Sequence, residues 1–170
     1  MKQRHSASNA IPTRYRGYHF RSRLEARWAV FFDSCRIKWQ YEPEGYDLTD
    51  YGLAIDRPGV GLYLPDFWLP KTETWVEIKG VLPANHFFDM DEELRMAALL
   101  DETRAKLGFV FWGMPDVDTM ATMVHWDTGD QIHSEISRIP DGICCFHGVS
   151  DKAVSAAKSA RFEHGHSGRS

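Results

Sequence analysis

Cysteine is scarce in this chain of 170 residues: three in all, Cys35 alone and Cys144 beside Cys145. An odd count with two neighbours adjacent does not make a disulfide framework, and reduced thiols fit a cytoplasmic protein. Long apolar runs are missing too. Segments such as AVFF and FVFWGM fall far short of the ~20 residues needed to cross a bilayer, and no signal-peptide apolar region follows the basic N-terminus. Internal repeats and long low-complexity segments are absent. The chain also has no positive excess, since its formal net charge is −4, which argues against a generally basic nucleic-acid binder.

The charge is unevenly placed, however. Between Met1 and Gln40 lie nine lysines and arginines but only two acids, Glu25 and Asp33, so a positive N-terminal face sits on an acidic body. Such a face suits a polyanion, because neutralising phosphates with Lys and Arg is a main source of affinity. A solvated charged tail is the plainer account of residues 1–12. Arg14, Arg16, Arg21 and Arg23, interleaved with Tyr15, Tyr18 and Phe20, are candidates to track phosphates and stack on bases.

The chain length suits one domain with flexible ends: a basic arm at 1–13, a main domain at 14–150, and a terminal helix with a loose tail at 151–170. Leu24, Trp28, Phe31 and Phe32 recur at helical spacing. Ser22 and Glu25 have capping-box spacing, in which the glutamate reaches back to the cap N–H; this structural role for Glu25 stands beside a role in a metal site. Ile37–Glu42 reads as a strand, with Tyr46–Leu48 pairing back on it, and Thr49–Gly61 reads as a loop or wide hairpin connection.

The stretch Tyr63–Gly80 (YLPDFWLPKTETWVEIKG) organises the rest. It predicts two strands, Leu62–Leu69 and a second through Val76 and Ile78, joined by a short polar turn. Alternation sends Val76 and Ile78 to one face and Glu77 and Lys79 to the other, and the hairpin brings Asp66 beside Glu77. Neighbouring carboxylates repel unless they share a proton or a cation, and a divalent metal resolves that conflict. Asp89 with Glu92 predicts a second capping box and a helix from about Met90 to Leu107, with Leu94, Ala97, Ala98 and Leu107 on one side and Gly108 as terminator. A strand at Phe109–Trp112 follows, and a right-handed crossover then sets Lys79 and Trp112 on neighbouring parallel strands. Thr122–Trp126 and Gln131–Ile139 read as a hairpin about Thr128, Gly129 and Asp130, with helix an alternative for Asp118–Val124. Asp151–Phe162 reads as a short helix.

In this order, the pair Pro65-Asp66, then Glu77, Ile78 and Lys79, with Glu25 on the first helix, resembles the PD-(D/E)xK nuclease superfamily over roughly Arg14–Trp112. The pattern is most similar to phage-type Holliday-junction endonucleases and transposition nuclease subunits. The resemblance implies an α/β fold, a restriction-endonuclease-like mixed β-sheet flanked by helices. It also implies a Mg2+-dependent endonuclease acting on DNA, with branched or distorted DNA as one candidate substrate, and leaving a 5′-phosphate and a 3′-hydroxyl. Asp66, Glu77 and the Ile78 backbone carbonyl would hold Mg2+, with Mn2+ as the expected substitute. Glu25 would complete the site, and Lys79 would position water or stabilise developing charge. A non-catalytic nucleic-acid-binding module of recombination or transposition is the alternative. Cutting both strands generally needs two active centres, so a homodimer is one expectation, although no stretch shows an interface pattern. Zinc is disfavoured: Cys35, Cys144, Cys145, His147, His164 and His166 contain no CxxC pair. Trp68, Trp75 and Trp112 read as core, Arg27 as a partner for an acidic neighbour, and His19 as an exposed loop residue.

Overall fold

A 12-residue helix, α1 (Arg23–Ser34), forms where the sequence sets large apolar groups three and four residues apart, and it buries Trp28, Phe31 and Phe32. The computed structural model describes residues 10–51, 61–82, 91–116, 118–127, 131–138 and 151–162. Expectations for residues 1–9, Asp89, Met90, the 128–130 turn, Cys144, Cys145, His147, His164 and His166 lie outside these. The hairpin β1 (Thr13–Tyr15) and β2 (Tyr18–Phe20) precedes α1. Its turn passes through Arg16 and Gly17, both at positive φ.

Six strands make one mixed sheet. They are β3 (Gln40–Tyr41), β6 (Phe67–Leu69), β7 (Thr74–Lys79), β8 (Leu107–Trp112), β9 (Met120–Trp126) and β10 (Ile132–Arg138), in the spatial order β10-β9-β8-β7-β6-β3. Only β7 and β8 run parallel, and the crossover between them carries α2 (Asp91–Thr103). Lys79 pairs with Trp112 in that register, as the crossover geometry predicted. The short pair β4 (Tyr46–Asp47) and β5 (Leu62–Tyr63) stands apart as its own two-stranded sheet.

Strand alternation divides the core into two layers. Val76, Ile78, Phe109 and Phe111 face α1 and the last helix, α3 (Asp151–Ser159), and Trp28 stacks on Phe111 with ring centroids 4.3 Å apart. Trp75, Val110 and Trp112 face Met96, Leu99 and Leu100 of α2. The fold is therefore α/β, a mixed sheet flanked by helices. Among the described residues no helix is long and apolar enough to cross a membrane.

Several local expectations change. The strand expected over Ile37–Glu42 is paired only at Gln40–Tyr41, and Tyr46–Asp47 pairs with Leu62–Tyr63 rather than with β3. The strand expected over Leu62–Leu69 is therefore two, broken at Leu64–Asp66. Helix α2 stops at Thr103, where Arg104 takes a left-handed φ of 55°. Gly108 is not its terminator but lies inside β8, where an added Cβ would strike Met96. Leu107 belongs to the same strand, and Leu94 is 52 % exposed. The 118–124 region resolves as strand from Met120. Helix α3 is no appendage, because Ala153, Val154 and Ala157 join the core beneath α1.

Candidate functional site

The end of β7 is where the sheet stops being complete. β6 begins at Phe67, opposite Val76, so the next step of the antiparallel ladder places Asp66 across from Glu77. With no further β6 backbone to receive it, the Ile78 N–H donates instead to Asp66 Oδ2 at 2.7 Å. The carboxylate thus continues the ladder and is held in place by it. Asp66, Glu77, Ile78, Lys79 and Glu25 line one cleft of about 510 Å³ at this end of the sheet. All four candidate catalytic side chains come together around it.

Glu77 and Lys79 leave the same face of β7. Lys79 Nζ lies 2.8 Å from Glu77 Oε1 and 3.1 Å from Glu92 Oε2 on α2, and the buried Tyr63 hydroxyl donates to Glu77 Oε2 at 3.1 Å. Glu25 completes only half of the expected capping box while it also lines the cleft. Its N–H donates to the Ser22 side chain at 3.1 Å, as an N-cap requires, while its carboxylate reaches one residue beyond the cap to accept from the Arg21 N–H at 3.1 Å. Tyr41 also donates to that carboxylate at 2.5 Å.

Burial and crowding set the charge balance. Asp66 is 2 % exposed and Glu77 5 %. Burial first, then the Glu77 and Glu25 charges, push the Asp66 carboxyl well above the usual carboxylate range, against the pull of the Ile78 N–H and Arg21. Burial also raises Glu77, with Lys79 offsetting part of the effect. For Lys79, burial pulls the ammonium down, but Glu77 and Glu92 outweigh it and leave the pKa raised, so the group stays charged. Burial and then Glu77 hold the Tyr63 phenol protonated.

The four candidate phosphate-tracking arginines do not form a single track. Arg21 is turned inward, with Nη2 2.9 Å from Asp66 Oδ1 and Nε paired with Glu42. Arg23 lines the cleft half-buried. Arg14 and Arg16 are exposed on the hairpin, and Arg16 Nε is 3.3 Å from Asp33. Phe20 cannot stack on a base, being 1 % exposed in the core between Tyr41 and Phe67. The Tyr15 hydroxyl donates to Asp33, and Tyr18 packs against Trp39. Among the described residues Arg27 pairs with no acid: its Nη1 donates to the Ala157 and Lys158 carbonyls at 2.6 and 2.5 Å, capping α3. Trp75 and Trp112 are core, whereas Trp68 is half-buried. His19 is exposed, on β2 rather than in a loop.

Sequence reasoning missed Glu92, Tyr63 and Tyr41 at this site. Glu92 was legible only as a capping partner. The missing signal was topological, since a helix leaving the end of a parallel strand starts beside that strand's last residues.

Among the described residues no group of three or more His, Cys, Asp or Glu side chains is gathered as a ready metal-ligand cluster. The donor set nonetheless fits a hard cation: three carboxylates and a peptide unit, all oxygen, as Mg2+ prefers over zinc. The raised Asp66 carboxyl reflects burial first and the neighbouring Glu77 and Glu25 charges second, and a cation would relieve the second of these. Compared with known proteins, the chain matches no family model, no curated protein and no solved structure.

Proposed function

We propose that this chain is a PD-(D/E)xK-type, metal-dependent DNA endonuclease. The observation that carries the reading is the convergence of Asp66, Glu77 and Lys79, with Glu25 behind them, on one cleft at the open end of β7. Three buried or nearly buried acids around one opening are costly as packing, because each charge must be desolvated beside its like.

Asp66, Glu77 and the Ile78 carbonyl would hold Mg2+ or Mn2+, with Glu25 completing the set. When bound, the ion would lower the pKa of a coordinated water and polarise the phosphoryl group. Lys79 contributes a fixed positive charge. Held between Glu77 and Glu92, it is suited to stabilise negative charge on the phosphate oxygens rather than to take a proton. Tyr63 orients Glu77 through its hydrogen bond, and Tyr41 does the same for Glu25.

A second reading has its own observation. The Asp66 and Glu77 oxygens are engaged by donors of the chain itself, Arg21, Lys79, Tyr63 and the Ile78 N–H, which also suits a non-catalytic DNA-binding module on this fold.

Incubation with supercoiled, linear and four-way-junction DNA in Mg2+ or EDTA, beside Lys79→Ala, separates the two readings. Nicking that requires metal and falls by at least a hundredfold in the variant supports the enzyme. EDTA-resistant binding without nicking supports the module.

A further inference from the structure

Beside the cleft lies a second, smaller hollow of about 310 Å³ between α1 and the end of α3, lined by Arg23, Arg27, Arg161 and Phe162. Its chemistry is one-sided. Three guanidinium groups surround it, and among the described residues none of the three has a carboxylate partner. Arg27 is committed, its Nη1 bonded to the α3 carbonyls and its guanidinium carbon 5.9 Å from the centre of the Phe162 ring. Arg161 is exposed. Arg23 is the anomaly: its Nε is buried and, among the described residues, has no hydrogen-bond partner. A buried donor without an acceptor forfeits its water and receives nothing in exchange, and the loss is heavier for a charged group. Such an atom marks a place where an acceptor belongs.

We infer that Arg23 and Arg161 form a phosphate-binding site for the backbone of the nucleic acid held in the neighbouring cleft. The guanidinium fork matches phosphate oxygens, donating two parallel hydrogen bonds. The hollow has room for a phosphodiester group and waters, about ten water volumes in all. Continuity supplies the rest, because Arg23 lines both the hollow and the cleft that holds Asp66 and Glu77. A strand entering the cleft therefore passes Arg23, and Arg27 keeps α3, and with it Arg161, fixed against α1. This inference rests on the proposed action on DNA but not on cleavage.

The test uses the full chain with Arg161→Gln and Arg23→Gln, and with Lys106→Gln, exposed at the far end of β7 and β8, as control. Binding of fluorescein-labelled duplex and junction DNA is read by anisotropy in EDTA across a salt series. Metal-dependent nicking and thermal stability are measured in parallel. The expected result is a several-fold loss of affinity in each cleft-side variant at unchanged melting temperature for Arg161→Gln. The slope of log affinity against log salt should fall by about 0.9 per duplex contact removed, with little change for Lys106→Gln. Unchanged affinity and slope for Arg161→Gln and Arg23→Gln overturn the inference, even if the wild type nicks DNA. Inorganic phosphate that stabilises the wild type while DNA binding ignores both arginines also overturns it, by assigning the hollow to a free anion. Arginine-dependent binding with no nicking leaves the site standing and removes the nuclease reading alone.

Discussion

Arg21 and Asp66 pair as opposite charges at the mouth of the cleft. The Arg21 guanidinium sits on Asp66 Oδ1 and on Glu42, while its own backbone N–H is fixed to Glu25 and Tyr41. The stem is anchored, and the half-exposed head fills the role of counter-ion. Arg21→Gln should therefore raise Mn2+ affinity, by about tenfold for one competing charge-assisted hydrogen bond of ~1.5 kcal/mol, as measured by calorimetric titration. Asp66 supplies the pH test. Because its folded pKa is raised above the unfolded one, its protonated form stabilises the fold. That contribution is complete below about pH 4, the unfolded value, and is lost as pH rises through the folded pKa. In EDTA, Asp66→Asn should melt higher than the wild type at neutral pH, with the difference shrinking toward pH 4, and it should lose any thermal stabilisation by Mn2+. A wild type that melts higher at neutral pH in EDTA would contradict the assignment of strain to this carboxylate. These charges were legible as residue types in sequence. Their mutual arrangement was not, because Arg21 reads equally well as a phosphate ligand until Asp66 is seen beneath it.

At the level of elements, periodic signals carried furthest. Helix α1, strand β7, the β7–α2–β8 crossover and the β9–β10 hairpin all follow from spacing of apolar groups, because each buries one defined face. Punctuation was less dependable. Gly108 looks like a helix stop, yet its lack of a side chain serves close packing of β8 against Met96 and Leu100, and the chain leaves α2 through a left-handed arginine instead. Gly108→Ala should cost about 1–3 kcal/mol through overpacking, read as a lower urea midpoint at unchanged slope. A helix-terminating glycine would have given a loss confined to the end of α2. The short strands β3, β4 and β5 were misjudged for a related reason: two or three residues carry too little periodicity to declare a partner.

Across the whole molecule, the expected boundary at residue 150 does not separate two bodies. Helix α3 buries Ala153, Val154 and Ala157 against the same layer that holds Trp28 and Phe111, and Arg27 ties its last carbonyls to α1. A chain ending at 150 should lose several kcal/mol, since one buried valine alone accounts for about 1.5–3. It should melt well below the full chain in differential scanning calorimetry. An unchanged melting temperature would restore the helix to the status of a tail. The mixed sheet flanked by helices was foreseeable because its parallel pair came from the long central crossover. The joining of the C-terminal helix was not, since its small apolar residues look the same on a solvated helix as on one pressed into a core. Finally, because the Asp66 carboxylate substitutes for the missing β6 partner of Ile78, the length of the Pro70–Glu73 bend acts as the ruler of the cleft. One residue inserted there would advance the incoming strand by a single pleat and carry the acid to the face packed on α1, leaving Glu77 and Lys79 with Tyr63 and Glu92 but without their aspartate.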